Sequence, residues 1–197
     1  MIWSFGQSIY NLDKELFNWL QVNYSGQWLG DYLVYAGSMY FWMPLWAFIA
    51  ILLFLAKPER GAWNIFFAGG AFVLSYQIST ILGTLVQHPP PFEVVYVFSK
   101  FKMPAYQETY MYSLPDWASA ASAAILAFSA RRLRSLGKSL PKLLFIFLLV
   151  FFFARVIPGY AFPFDVGMGY VLGMLVGWLC AALAKNFDKA LNMRQQE

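Results

Sequence analysis

The chain has 197 residues, of which 60 % are hydrophobic and 12 % charged, with a net charge of +4, one cysteine and one histidine. A soluble domain carries about 25 % charged residues, so this shortfall, with a mean hydropathy of +0.52, excludes an ordinary soluble domain and indicates a membrane protein. A lone Cys180 excludes an internal disulfide and a cysteine-rich metal site, and a lone His88 excludes any mechanism needing two histidines in one chain. No metal site and no cofactor are expected. No basic patch interleaved with aromatics lies outside the apolar runs, so nucleic acid is not an expected partner.

In chain order, the first predicted element is an amphipathic helix over Gln7–Val22, within an N-terminal segment 1–27. Ile9, Leu12, Leu16, Trp19 and Leu20 fall on one face, Lys14, Asn18 and Gln21 on the other, with Asp13 at the apolar edge. Such a helix lies at a membrane interface rather than across it; a peripheral packing helix is the alternative. The segment has no basic start, and Asp13, Lys14 and Glu15 break any early apolar run, so it does not read as a signal peptide.

Apolar runs then predict spans over Tyr32–Ala56, Ala62–Gln87, Pro115–Ala130, Leu143–Ile157 and Phe164–Ala184. At about 20 residues per span, the length suits one all-α polytopic membrane bundle and leaves no room for a second domain. A polar, proline-bearing loop covers 88–114, and a polar tail covers 185–197. Lys57 and Arg60 follow the first run. Arg131, Arg132, Arg134, Lys138 and Lys142 follow the third, and Lys185, Lys189 and Arg194 the fifth. By the positive-inside rule these segments face the cytoplasm. Lys14, Lys100, Lys102 and Arg155 lie on the opposite side, as does the 88–114 loop, which faces a periplasm if the membrane is a bacterial inner one. Tyr106, Tyr110, Tyr112 and Trp117 on that side read as an interfacial aromatic belt.

Two runs of small residues allow close helix approach: Ala118–Ala124 ("ASAASAA"), and Gly169, Gly173 and Gly177 at every fourth position. Packing within the bundle is the first reading, and contact with a partner subunit the second.

Three outward segments carry a resemblance: "ILGTLVQHPPPF" (Ile81–Phe92), "YSLPDWASA" (Tyr112–Ala120) and "ARVIPGYAFPFD" (Ala154–Asp165). Their order, spacing and place at span ends resemble the type 2 phosphatidic acid phosphatase family. Its members are helical membrane enzymes that remove phosphate from lipids. The family's third motif is Ser-Arg, five residues, His, three residues, Asp. Here Arg155 and Asp165 fit, Ala154 replaces the serine, and Ala161 replaces the histidine that serves the family as nucleophile. The second motif, Pro-Ser-Gly-His, supplies the acid that protonates the leaving oxygen. Here Pro115-Asp116-Trp117-Ala118 puts Ala118, or Trp117 with a shift of one, at the acid position. Asp116 also sets a negative charge where phosphate would sit. The first motif is Lys, six residues, Arg-Pro; Ile81 replaces the lysine and His88 the arginine.

The resemblance therefore implies a degenerate member with no catalytic residue in place. Four residues remain as a lipid-phosphate or structural ion-pair site: Arg155, Asp165, His88 and Asp116. Asp165 and Asp116 also suit helix caps, and an Arg155–Asp165 pair would tie the fourth and fifth spans together. The leading expectation is an inactive lipid-phosphatase-like protein acting as a structural or binding subunit of a membrane complex, with membrane lipids and other subunits or copies of itself as partners. A lipid-headgroup-binding protein using Arg155 is a second expectation. A divergent phosphatase using Asp116 or His88 as nucleophile is a third.

Overall fold

The computed structural model describes residues 2–24, 27–56, 58–91, 112–134 and 140–194, and the regular elements among them are helices. They are α1 (Ile2–Tyr24), α2 (Gln27–Ala36), a 3-10 turn (Met39–Trp42) into α3 (Met43–Leu55), a second 3-10 turn (Pro58–Arg60) into α4 (Gly61–Val86), α5 (Trp117–Arg132), α6 (Leu140–Val156) and α7 (Pro163–Arg194). Four predicted spans coincide closely with α4 to α7. Much of the 88–114 loop, including Lys100, Lys102, Tyr106 and Tyr110, lies outside the described residues, as do Lys57 and Lys138.

The first predicted span, Tyr32–Ala56, is not one helix. It breaks at Gly37 and Ser38. A Cβ at Gly37 would strike the Ala154 carbonyl oxygen and the Tyr160 ring, so only glycine passes there. The free carbonyls at and just after the end of α2 are taken by side-chain donors. Trp42 Nε1 donates to Ala36 O at 2.6 Å, and Arg155 Nη1 to Gly37 O at 3.1 Å. Ser38 Oγ accepts from Tyr40 N at 3.3 Å and starts the 3-10 turn, and a proline in the first turn of α3 restarts the helix.

The core is a three-helix packing of α4, α5 and α7, with the largest interface between α5 and α7. Ala118 to Ala124 are all buried. Gly169, Gly173 and Gly177 lie against the carbonyl oxygens of Asp116, Ala120 and Ala124, where any side chain would clash. The two four-residue repeats thus run in register, one turn per turn, so the glycine stripe serves the bundle and not a partner subunit.

α1 begins earlier than predicted and packs on a different face. Asp13, Phe17, Leu20 and Gln21 are buried, while Leu12, Leu16 and Trp19 are exposed. Leu20 therefore leaves the predicted apolar stripe, and Gln21 leaves the polar face. The reason is polar: Gln21 Nε2 donates to Ile157 O, and Asp13 Oδ1 accepts from Phe164 N at 2.9 Å. The Ile9 side chain lies outside the described residues.

Charges gather at two ends of the bundle. At one, Asp188 of α7 joins Arg60 at 3.2 Å and Arg132 at 2.7 Å, and Arg132 Nε donates to Asn64 Oδ1 at 2.9 Å. The segments after the first, third and fifth apolar runs thus share one end. α7 runs on as helix to Arg194, through most of the predicted polar tail.

Between the ends the outer surface is apolar. Phe66, Leu85, Phe145 and Leu175 are each more than half exposed, far beyond the isolated apolar residues of a soluble monomer. Pro58–Val86 and Pro163–Met193 are long and apolar enough to cross a membrane; Met39–Leu55 and Phe145–Val156 are shorter apolar helices.

Candidate functional site

The other end of the bundle holds the four ionic residues singled out in the sequence. Asp116 caps α5, its Oδ2 accepting from Ser119 N at 3.0 Å and from Ser119 Oγ. A carboxylate there satisfies an otherwise free amide and faces the positive end of the helix. Arg155 stands in the last turn of α6 and is buried. Its guanidinium grips the same carboxylate with two bonds, Nη2 to Oδ1 at 2.5 Å and Nε to Oδ2 at 3.1 Å. The third nitrogen, Nη1, holds Gly37 O, and the guanidinium carbon lies 4.6 Å from the centre of the Tyr160 ring. Tyr160 is itself fixed by its hydroxyl, which donates to Val34 O at 2.7 Å.

The turn between α6 and α7 sets the second half. Gly159 adopts φ 87°, a left-handed conformation that glycine enters freely. Tyr160 N and Ala161 N both donate back to Arg155 O. Pro163 opens α7, and Asp165 Oδ2 accepts from Phe162 N at 3.3 Å, closing the first turn. Asp165 is fully buried, and its Oδ1 has no hydrogen bond. That oxygen faces His88 Nδ1 at 3.4 Å. His88 Nδ1 also lies 3.2 Å from Ser113 Oγ, and its ring meets the edges or faces of Tyr10 and Phe162, each at 5.5 Å.

The expected Arg155–Asp165 pair is therefore replaced by two others, Arg155 with Asp116 and Asp165 facing His88. The physical reason lies in the turn. Asp165 is turned back onto its own helix start, while stacking on Tyr160 directs the Arg155 fork toward α5. The link between the halves is a backbone bond, Asp116 N to Asp165 O at 3.0 Å.

Ala161, at the position of the expected nucleophile, is fully buried among Phe17, Leu20, Val156, Phe162 and Val166. Ala118 is buried too. Trp117 packs edge-on against Tyr76 at 5.4 Å. Ile81 is exposed on the outside of α4. Among the described residues no group of three His, Cys, Asp or Glu side chains is placed to hold a metal ion.

Sequence reasoning missed Asp13 as part of this end. It lies in α1, caps Phe164 N, and shares its surroundings with Asp165 and His88. Burial pushes its carboxyl up to about 6. Asp165 adds to the rise, while the Phe164 bond and His88 oppose it. The available signal was a lone acid at the edge of an apolar helix face.

Two solved structures share the architecture. The first is a transmembrane PAP2-type phosphatidylglycerolphosphate phosphatase from Bacillus subtilis, matched with a TM-score of 0.65 and 18 % identity over 93 % of this chain and 87 % of that one. The second is LpxE from Aquifex aeolicus, matched with a TM-score of 0.62 and 22 % identity over 86 % of this chain and 94 % of that one. No family model matches the chain, and no curated protein matches its sequence. At these identities the likeness is one of fold.

Proposed function

We propose that this chain, which carries the fold of PAP2-type membrane phosphatases, is an integral membrane protein that has lost phosphoryl transfer and serves as a structural or binding subunit of a membrane assembly. One observation carries the reading: the carboxylate of Asp116 occupies the Arg155 fork. A guanidinium matches carboxylate and phosphate oxygens with the same two-pronged geometry. The protein's own acid thus fills the seat a phosphate would need, and its charge repels a second anion. Among the described residues, the positions expected to hold the nucleophile and the acid carry no such group. Ala161 has no nucleophilic atom, and neither Ala118 nor Trp117 donates a proton to a leaving oxygen.

The same geometry weighs against headgroup binding by Arg155. All three of its nitrogens already donate to protein, and it is 7 % exposed. Bound anionic lipid should therefore stay unchanged in Arg155→Ala. Support for a subunit role comes from the outward aromatics Tyr32, Tyr35 and Phe41, each more than half exposed around the break between α2 and α3. Such residues are enriched at protein interfaces. The end bearing Arg60, Arg132 and Asp188 faces the cytoplasm by its basic excess, and the Asp116–Arg155 end faces outward, toward the periplasm of a bacterial inner membrane.

Native mass after mild extraction tests the subunit role. A mass above that of one chain, with protein in the excess, is expected; a lone monomer overturns it. One contact favours a second reading. The sole histidine faces a buried carboxylate, Asp165, at 3.4 Å, the pairing by which a carboxylate orients an imidazole nucleophile. A divergent enzyme built on His88 would release phosphate from lipids and lose that activity in His88→Ala.

A further inference from the structure

Helix α1 presents three distinct faces. At about 100° per residue, Tyr10, Asp13, Phe17, Leu20 and Gln21 form one sector, turned to the bundle. Leu12, Leu16 and Trp19 form a second, each roughly half exposed or more. Asn11, Glu15 and Asn18 form a third, all exposed, with Lys14 at its edge above the Tyr10 ring at 4.4 Å. The sector centres lie about 120° apart. Only exposed Val22, in the last turn, puts an apolar side chain into the polar sector.

A helix packed on a soluble protein needs two faces, one inward and one wet. A third, apolar and uncovered, needs an apolar neighbour that lies beside water. The neighbour is marked by position. Asp13 holds the Phe164 amide, and Phe164 begins the exposed apolar row of α7 that continues through Met168, Val171, Leu175 and Leu179. α1 is therefore anchored beside the start of the surface that a bilayer would cover. Trp19 and Tyr24, packed ring to ring at 5.8 Å, are residue types that settle at the boundary between lipid and water.

We infer that α1 is a membrane-surface strap: it lies along the outer lipid boundary with Leu12, Leu16 and Trp19 in the acyl region and Asn11, Glu15 and Asn18 in water. It is pinned to the bundle by Asp13 and Gln21. Phe17 and Leu20 of the same helix cover Ala161, so the strap also seals the outer site from the lipid side. The inference rests on the membrane reading above and not on the loss of catalysis.

Spin labels test it in the full chain, reconstituted in vesicles of phosphatidylethanolamine and phosphatidylglycerol. In a Cys180→Ser background, single labels are placed at Leu16→Cys, Asn18→Cys and, as a control on α7, Leu175→Cys. Collision with oxygen reports lipid, and collision with a water-soluble nickel chelate reports water. The strap predicts oxygen-dominated collision at positions 16 and 175 and nickel-dominated collision at 18. Lipid exposure at 175 with nickel-dominated collision at 16 overturns the strap alone. A label at 16 shielded from both agents shows a protein on that face, a partner or second copy, and also overturns it. Nickel-dominated collision at 175 overturns the membrane reading instead.

Discussion

Arg155 and Asp116 are each other's main compensation, and both are buried. Removing one strands the other's charge, which costs about 3–5 kcal/mol for a buried pair. Arg155→Ala and Asp116→Ala should each lower the unfolding midpoint sharply. The double variant should lose less than the sum of the two, because no lone charge remains. Thermal unfolding of the four proteins in detergent gives the cycle directly. Asp13 offers a second test. Its folded-state carboxyl is raised to about 6 from an ordinary 3.8, so the fold binds the proton more tightly than the unfolded chain. The proton's contribution to stability is complete below about pH 3.8 and is lost as pH rises through about 6. Asp13→Asn keeps an acceptor for Phe164 N and removes the titration. It should flatten the fall in stability between pH 5 and pH 7 and raise the midpoint at pH 7. The four ionic residues were legible in the sequence because all of them fall in the three outward segments that carry the family resemblance. Their pairing was not. It depends on the Gly159 turn and the Tyr160 stack, which no linear spacing reports.

Helix by helix, the glycines separate packing from tolerance. A methyl at Gly173 would strike the Ala120 carbonyl oxygen, whereas one at Gly69 meets nothing within 4 Å. Gly173→Ala should destabilise by about 1–3 kcal/mol through overpacking. Gly69→Ala should stabilise by about 0.4–1 kcal/mol by narrowing the unfolded ensemble. Unfolding midpoints of both, against the parent chain, check the contrast. Apolar runs announced α4 to α7, the run for α5 being the short one that opens at Pro115. The break at Gly37 was hidden inside a continuous apolar run. It is imposed from afar by Ala154, Arg155 and Tyr160, about 120 residues away in sequence. The α1 stripe was legible as a period but not as a surface, because Asp13 and Gln21 find partners only in the tertiary structure.

At the scale of the whole molecule, two polar ends close an apolar bundle. One is a clamp, in which Asp188 draws Arg60 and Arg132 together. The other seats the Asp116 carboxylate in the Arg155 fork, beside the Asp165–His88 contact. The fold matches membrane phosphatases, and on the proposed reading the groups that would perform their chemistry are replaced at Ala161, at Ala118 or Trp117, and at Asp116. The central claim is that the scaffold persists without turnover. The most direct measurement is phosphate release by the purified, folded chain from a panel of phosphorylated lipids that includes phosphatidic acid, phosphatidylglycerophosphate and undecaprenyl diphosphate, alongside His88→Ala. The account predicts release at the level of protein-free vesicles for both proteins. Release above that level by the parent chain, abolished in His88→Ala, would contradict it.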